Sequence, residues 1–321
     1  MKQKYLYILL LGVLALACNK EWEDELFVKD VAFVKNGVVP VYARYQSSGG
    51  TVTLKVPVVL SGSTANTEDV QVTLDLDTDT LQNLNFDRFR NRQDLYFIPL
   101  PEANYSFSSN TTTIPKNSST GYFNLNLKME NMDMYYKYIL PVKLVSASTY
   151  SVSPRRWYKK SLMQIIPFND YSGRYSVPGQ VRRTEGNEPA LTTPTRTAWV
   201  INENTVFFYA GVVEEEAYDR LKYRISARFN GDGTVTLSAA DPAIKFKQNS
   251  GNYIVEKRMD DVQPYLQRTF TTMNLEYEYE DITNPDFPLR YRFSGAMVLE
   301  RVRNIQIPEE DQQVVIDSDM Y

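Results

Sequence analysis

The sequence predicts an all-β protein of two domains, a β-sandwich followed by an antiparallel β-barrel. Three observations support this prediction. Apolar and polar residues alternate with period two in many short segments, which is typical of strands with one buried face. Stretches rich in Gly, Pro, Asn and Ser separate these segments. The chain also carries 23 tyrosines and 13% aromatic residues, which favour strands.

The first predicted domain covers residues 28–168. Alternating segments at Thr51–Leu60, Val70–Leu76 and Tyr122–Lys128 each place one apolar face inward, as antiparallel strands do. Regularly spaced short strands of this kind, with turn residues between them, indicate a β-sandwich of immunoglobulin type. No helix of any length is expected, although Asp79–Asn85 is compatible with a single turn.

The second predicted domain covers residues 169–307 and follows the segment Ile165–Asp170, where a hydrophobic strand meets a proline and turn residues. Its sequence Asn230–Gly233 is a hairpin signal. The number of short strands suits an antiparallel β-barrel or a strongly curled sheet. Residues 308–321 are expected to be a loosely held polar tail. The expected strands are Thr197–Ile201, Thr205–Gly211, Lys222–Phe229, Gly233–Ser238, Asn252–Lys257, Arg268–Glu280 and Pro288–Arg301.

The amino terminus predicts secretion and lipid attachment. Two lysines precede the apolar run Leu6–Leu16, which is shorter than the roughly 20 residues that a spanning helix needs, so residues 1–17 are interpreted as a signal peptide. The segment Ala15–Cys18 resembles the bacterial lipobox, although Ala15 stands where leucine is preferred. This resemblance implies that Cys18 is acylated, with palmitate as a typical chain, and anchors the protein to membrane lipid. Residues 18–27 are then a lipidated tether.

Four acidic residues follow Cys18 within a short distance. A solvated tether explains this composition. The same cluster also resembles the surface-export signal of Bacteroides-type lipoproteins, which implies an outer-membrane protein that faces the cell exterior. The acidic residues are Glu21, Glu23, Asp24 and Glu25.

Several motifs in order resemble the uncharacterised amino-terminal module of Bacteroides polysaccharide-utilisation lipoproteins over residues 20–168. Two later segments resemble the carboxy-terminal domain of the same group, which is lipocalin-like. The resemblance implies a surface lipoprotein that binds a polysaccharide or oligosaccharide in a glycan-utilisation system, beside an outer-membrane transporter complex. The segments are Glu21–Glu25, Leu81–Asn85, Thr113–Lys116 and Tyr138–Leu144 in the first domain, and Tyr171–Tyr175 and Arg290–Gly295 in the second.

Composition excludes several kinds of chemistry. The chain has no histidine, which rules out Ser-His-Asp and Cys-His catalysis and removes the commonest zinc ligand. No phosphate-binding glycine loop is present. We therefore expect no metal, no cofactor and no catalytic residue. The net charge of −4 also argues against a nucleic-acid partner.

Carboxylates leave a glycoside hydrolase open as an alternative, because that reaction needs only two acids facing a sugar. The alternation of Glu276, Glu278 and Glu280 with two tyrosines predicts that these acids share one solvated face of a strand. Other acidic runs are Glu214–Glu216 and Asp260–Asp261. Surface exposure explains all of them, so we expect no enzyme.

Aromatic residues provide the candidate ligand contacts. Sugar rings stack on Trp and Tyr faces, so Trp157, Tyr158, Trp199 and Tyr209 are predicted to bind the glycan. Trp199 lies between apolar residues and is also compatible with core packing, and Trp157 with a wedge between the domains. A different class of function stays open: a structural or adhesive lipoprotein whose tyrosines contact a protein partner.

Overall fold

The computed structural model describes residues 25–46 and 50–308 of the chain. These residues form three β-sheets and little helix, so the all-β prediction is confirmed. The predicted signal peptide, Cys18, most of the acidic cluster and nearly all of the polar tail lie outside the described residues. Within them, no helix is both long and apolar enough to cross a bilayer.

The described residues up to Phe168 form a sandwich of two sheets. The strands are β1 (Asp30–Phe33), β2 (Gly37–Arg44), β3 (Thr51–Leu60), β4 (Val70–Leu76), β5 (Ile98–Pro99), β6 (Tyr105–Phe107), β7 (Thr111–Ile114), β8 (Thr120–Lys128), β9 (Tyr138–Ala147), β10 (Ser151–Val152) and β11 (Lys160–Phe168), with the helix α1 (Thr78–Phe89) between β4 and β5.

One sheet has the order β10-β1-β3-β8-β6, and the other has the order β2-β11-β9-β4-β7 with β5 beside β9. The alternation expected from the sequence holds in β8, where Phe123, Leu125 and Leu127 are buried and the residues between them are not. These side chains pack with Leu140 of β9 and with the other inward residues of both sheets. The core of the first domain therefore lies between the sheets, as in a β-sandwich.

The helix α1 corrects the expectation that the chain has no helix of any length. It spans 12 residues rather than one turn. Its Leu81 packs on Phe97, Ile139 and Leu162, outside the sandwich core. The Asn85 side chain accepts a hydrogen bond from Phe97 N (2.9 Å) and donates one to Phe97 O (2.8 Å). Contacts with distant residues thus stabilise a helix that has only a weak apolar pattern of its own.

The second domain is a nearly closed barrel. Its strands are β12 (Gly173–Ser176), β13 (Gly179–Arg183), β14 (Thr195–Asn202), β15 (Thr205–Tyr209), β16 (Arg224–Phe229), β17 (Val235–Ala239), β18 (Lys247–Met259), β19 (Leu266–Asp281) and β20 (Leu289–Asn304). They form one sheet with the order β17-β16-β15-β14-β12-β20-β19-β18, and β13 also pairs with β20.

The two edges of this sheet, β17 and β18, meet through a few hydrogen bonds. An isolated antiparallel bridge joins Thr234 to Asn252. The Gln248 side chain accepts a hydrogen bond from Leu237 N (2.8 Å) and donates one to Val235 O (2.7 Å). These bonds satisfy backbone groups that a sheet edge would otherwise expose. The predicted hairpin at residues 230–233 is confirmed, since it joins the paired strands β16 and β17.

Aromatic side chains fill the interior of the barrel. Tyr175, Tyr277 and Tyr279 are almost fully buried there, and the Tyr277 ring stacks on Phe293 with centroids 5.1 Å apart. The buried Arg196 guanidinium donates hydrogen bonds to the carbonyls of Gly211 and Val213. A barrel can enclose a ligand, but here the described residues use the interior as a packed core.

Candidate ligand-binding cavity

A cavity of about 270 Å³ lies between the two domains. The outer face of β14–β16 forms one wall. The end of β11 and the segment that leads into β9 form another, and residues 94–96 complete it. The chain crosses from one domain to the other at residues 169–172, directly after β11. The cavity thus lies where the two domains meet, which is a common position for ligand sites.

Strand alternation gives the barrel wall its aromatic character. In β15 the inward residues Val206 and Phe208 belong to the barrel core, so Phe207 and Tyr209 point outward. All five residues of β15 are nevertheless buried, because the sandwich covers the outer face. Trp199 of β14 lies directly opposite Phe207. One outer face therefore carries three neighbouring aromatic rings.

The sandwich contributes two groups that contact this face. The Tyr135 ring meets Phe207 edge to face, with centroids 4.8 Å apart, and the Arg224 guanidinium lies 3.6 Å from the centre of the Tyr135 ring. The Lys137 ammonium lies 5.9 Å from the centre of the Trp199 ring. The wall thus combines flat apolar surfaces with charged groups, the mixture that a sugar requires.

Gln164 adds a neutral polar group. In β11, Met163 and Ile165 face the sandwich core, whereas Leu162, Gln164 and Ile166 lie on the outer face. Gln164 lines the cavity and is only 8% exposed. Among the described residues, its side-chain amide has no hydrogen-bond partner. The amide therefore faces the open cavity, where a ligand can take the place of water as its hydrogen-bond partner.

An interdomain ion pair closes one side of the cavity. Arg220 donates hydrogen bonds to the Asp94 carboxylate and to its backbone carbonyl, both at 2.6 Å. Arg92 binds the same carboxylate at 2.9 Å and also donates to Glu216 O, across the domain boundary. Hydrogen bonds from Arg92, supported by Arg220, hold the pKa of Asp94 well below its usual range. Asp94 therefore stays ionised and joins the domains at neutral pH.

The protein around the cavity also affects Lys137. Its side chain is accessible to solvent through the cavity, yet the surrounding protein disfavours its charge and lowers its pKa. The nearby negative charge of Glu215 opposes this shift. Burial likewise raises the pKa of Tyr209, which keeps its hydroxyl protonated and able to donate a hydrogen bond at neutral pH.

The structure brings together only two of the four predicted aromatic contacts. Trp199 and Tyr209 both line the cavity. Trp157 and Tyr158 precede β11, whose far end joins the barrel about 26 Å away at the usual rise per residue. They are 43% and 42% exposed and stack with the neighbouring Arg156 and Arg155. The interpretation of Trp157 as a wedge between the domains therefore does not fit its position.

Sequence reasoning missed Gln164, Lys137 and the pair of Asp94 with Arg220. The two members of that pair lie 126 positions apart, and no local pattern links them. Gln164 had a readable signal, because it is a lone amide within the otherwise apolar run Leu162–Ile166. A polar side chain inside an apolar strand is expected to have a hydrogen-bond partner.

The three alternating glutamates lie on the outer face of β19, and Tyr277 and Tyr279 lie inside, as predicted. The expectation of a fully solvated face is wrong for Glu278, which is 7% exposed. Arg292 donates to its carboxylate at 2.5 Å and lowers its pKa. A glycosidase acid needs a raised pKa instead. In the described part of the chain, no group of three acidic residues is placed to hold a metal ion.

Two family models match the sequence. A model described as a domain of unknown function (DUF4973) matches residues 22–148. A model of a C-terminal domain matches residues 159–298. A comparison with curated proteins finds no match.

Solved structures from Bacteroides resemble the chain across both domains. One from Bacteroides ovatus, of unknown function, is 33% identical with a TM-score of 0.78 and covers 88% of this chain and 99% of its own. A multidomain protein including DUF1735, from the same organism, is 33% identical with a TM-score of 0.77 and covers 88% and 98%. An auxiliary nutrient binding protein from Bacteroides thetaiotaomicron is 31% identical with a TM-score of 0.76 and covers 86% and 94%.

Proposed function

The chain belongs to the same family as these multidomain Bacteroides proteins, and on that premise we propose that it is a non-catalytic binding protein that holds an oligosaccharide in the cavity between its domains. The relative from Bacteroides thetaiotaomicron, described as an auxiliary nutrient binding protein, supports a nutrient as the class of ligand. We further propose that Cys18 anchors the protein to the outer membrane, facing outward, where it serves a glycan-utilisation system beside a transporter.

The observation that carries the proposal is the outer face of β14 and β15 inside the cavity. Trp199 offers a ring for stacking against the C–H groups of a sugar, and Tyr209 lies on the same wall. Gln164 offers an amide that lacks a partner among the described residues, and an amide both donates to and accepts from sugar hydroxyls. A cavity that joins flat apolar surface to a few polar groups is the usual form of a small-ligand site.

Trp157 provides a matched control for the test, because it is also a tryptophan with a nearby cation but lies outside the cavity. The full chain, purified in detergent, is titrated by calorimetry with a panel of neutral and acidic oligosaccharides. We expect Trp199→Ala to weaken the best ligand at least about 10-fold, since stacking on an aromatic ring contributes about 1–3 kcal/mol. Trp157→Ala should leave that affinity unchanged.

Two outcomes contradict the proposal. Loss of binding in Trp157→Ala but not in Trp199→Ala would move the site to the exposed loop before β11. Absence of binding to every glycan would favour the alternative of a protein partner. The melting temperature of each variant, measured by circular dichroism, separates a binding defect from unfolding.

A further inference from the structure

The ionic groups of the cavity are not all paired. Asp94 binds Arg92 and Arg220, so its charge is compensated. Asp133 uses its carboxylate to accept a hydrogen bond from Tyr135 N at 3.1 Å. Asp133 and Lys137 form no ion pair with a described residue, and the Lys137 ammonium forms no hydrogen bond with one either. The cavity thus presents a cation whose charge lacks a bound counter-charge.

The position of Lys137 relates this cation to the stacking surface. Its ammonium lies 5.9 Å from the centre of the Trp199 ring, a distance comparable to the width of one sugar ring. Because the ammonium lies over the Trp199 ring, a sugar that stacks on this ring would share the ring face with the ammonium and bring its substituents next to it. A negatively charged substituent at this point would form a charge-assisted hydrogen bond, which is stronger than the bond that a neutral hydroxyl makes.

We infer that the cavity selects an anionic oligosaccharide, with a carboxylate or sulfate group bound by Lys137 while the sugar ring stacks on Trp199. This inference rests on the proposed function, and it adds the chemical class of the ligand. The anion of the ligand would bind an ammonium that has no ion-pair partner among the described residues. Arg224, which lies against the Tyr135 ring and also lines the cavity, provides a second positive charge for the anion.

Glu215 is the acidic side chain that could compete with an anionic ligand for Lys137. It lines the cavity and its negative charge favours protonated Lys137, yet the two side chains form no ion pair with each other. The other charges that act on the ammonium are Glu216, Arg88 and Arg220. Two of these four neighbours are negative and two are positive. The ammonium therefore remains available for a ligand without a competing ion pair to break.

The test compares neutral and anionic probes on the full chain in detergent. The probes are trigalacturonate for a carboxylate, a chondroitin sulfate tetrasaccharide for a sulfate, and mannotetraose, xylotetraose, cellotetraose and maltotetraose as neutral sugars. We expect one of the two anionic probes to bind at least about 10-fold more tightly than every neutral probe, and which one binds identifies the anion. Trp199→Ala should abolish this binding.

Three substitutions then isolate the charge. Lys137→Gln should weaken binding of the anionic probe about 10-fold, whereas Lys137→Arg should retain the affinity within about 3-fold. Lys116→Gln, at an exposed turn outside the cavity lining, should leave the affinity unchanged. Equal or tighter binding of a neutral probe, still abolished by Trp199→Ala, would overturn the anionic assignment and leave the proposed function intact. If no sugar binds at all, the proposed function fails and this inference fails with it.

Discussion

Two glutamines show how the same side chain serves stability at one position and is free for binding at another. Gln248 bonds the backbones of two β17 residues and helps to close the barrel. Gln164 is equally part of a strand, yet its amide has no hydrogen-bond partner among the described residues although it is 8% exposed. An amide that faces an open cavity and bonds to no other residue is suited to donate to and accept from a ligand.

Replacing each glutamine by methionine, which has a similar size, tests this contrast. Gln164→Met removes an amide that bonds to no other described residue and faces the open cavity, so we expect the free energy of unfolding to change by no more than about 1 kcal/mol, while ligand affinity falls about 10-fold. Gln248→Met should instead lower the free energy of unfolding by about 1–3 kcal/mol and leave affinity unchanged. Urea denaturation and calorimetry measure the two quantities. A Gln164→Met variant with normal affinity would remove Gln164 from the site.

The helix α1 illustrates an element that depends on the rest of the fold. Its buried face rests on the six-stranded sheet of the sandwich, and Asn85 ties it to the segment after the helix through both backbone groups of Phe97. That segment continues into β5, which pairs with β9 just before the cavity wall. The helix therefore supports the position of residues 94–96, which line the cavity.

Asn83 is a matched control for Asn85, because it lies exposed on the same helix. Asn85→Ala leaves the amide and carbonyl of Phe97 without their partners, so we expect a loss of about 1–3 kcal/mol in the free energy of unfolding. Asn83→Ala should change it by no more than about 0.5 kcal/mol. Urea denaturation followed by circular dichroism measures both. Similar values for the two variants would show that the hydrogen bonds to Phe97 contribute little.

The sequence allows prediction of those strands and turns that are determined by residues close together in the chain. Alternation in β8 and the turn at residues 230–233 depend on neighbouring residues alone, and both agree with the structure. The helix α1 escaped prediction because its stability comes from contacts with Ile139 and Leu162, which are distant in the chain. For the site, residue type was enough to select Trp199 and Tyr209. Residue type also selected Trp157, which lies outside the cavity. The alternation of apolar and polar residues does not show where two domains meet, so the sequence could not separate Trp157 from Trp199.

At the scale of the whole molecule, the cavity exists only because the two domains meet. The sandwich supplies Lys137 and Gln164, and the barrel supplies Trp199 and Tyr209. The bond between Asp94 and Arg220 crosses the boundary beside them. Neither domain alone contains the proposed site. This dependence agrees with the solved relatives, which match the chain across both domains.

The proposed membrane attachment also concerns the whole chain. We expect Cys18→Ala to abolish incorporation of radiolabelled palmitate and to release the protein from the membrane fraction, whereas Asn19→Ala should change neither. Changing Glu21, Glu23 and Asp24 to alanine should retain acylation but reduce cleavage by protease added to intact cells. A Cys18→Ala variant that still fractionates as mature membrane protein would contradict the lipoprotein assignment. Labelling, fractionation and protease digestion are the measurements.

Glu25 determines where that tether meets the folded protein. Its carboxylate accepts hydrogen bonds from the backbone N–H and hydroxyl groups of Ser63 and Thr64, and the bond from Ser63 N is the largest cause of its strongly lowered pKa. This turn lies at the end of the sandwich where β8 begins, and β8 ends on the side of the cavity, about 27 Å away at the usual rise per residue.

Under the proposed acylation of Cys18, the sandwich separates the lipid anchor from the proposed ligand site. Six residues lie between Cys18 and Glu25, so a fully extended chain places these two residues at most about 25 Å apart. The proposed tether would limit how far the folded protein extends from its anchor, and the proposed sugar site lies at the end of the sandwich away from Glu25. In this arrangement a long polysaccharide could bind through an internal segment, and its ends would not have to pass the lipid headgroups.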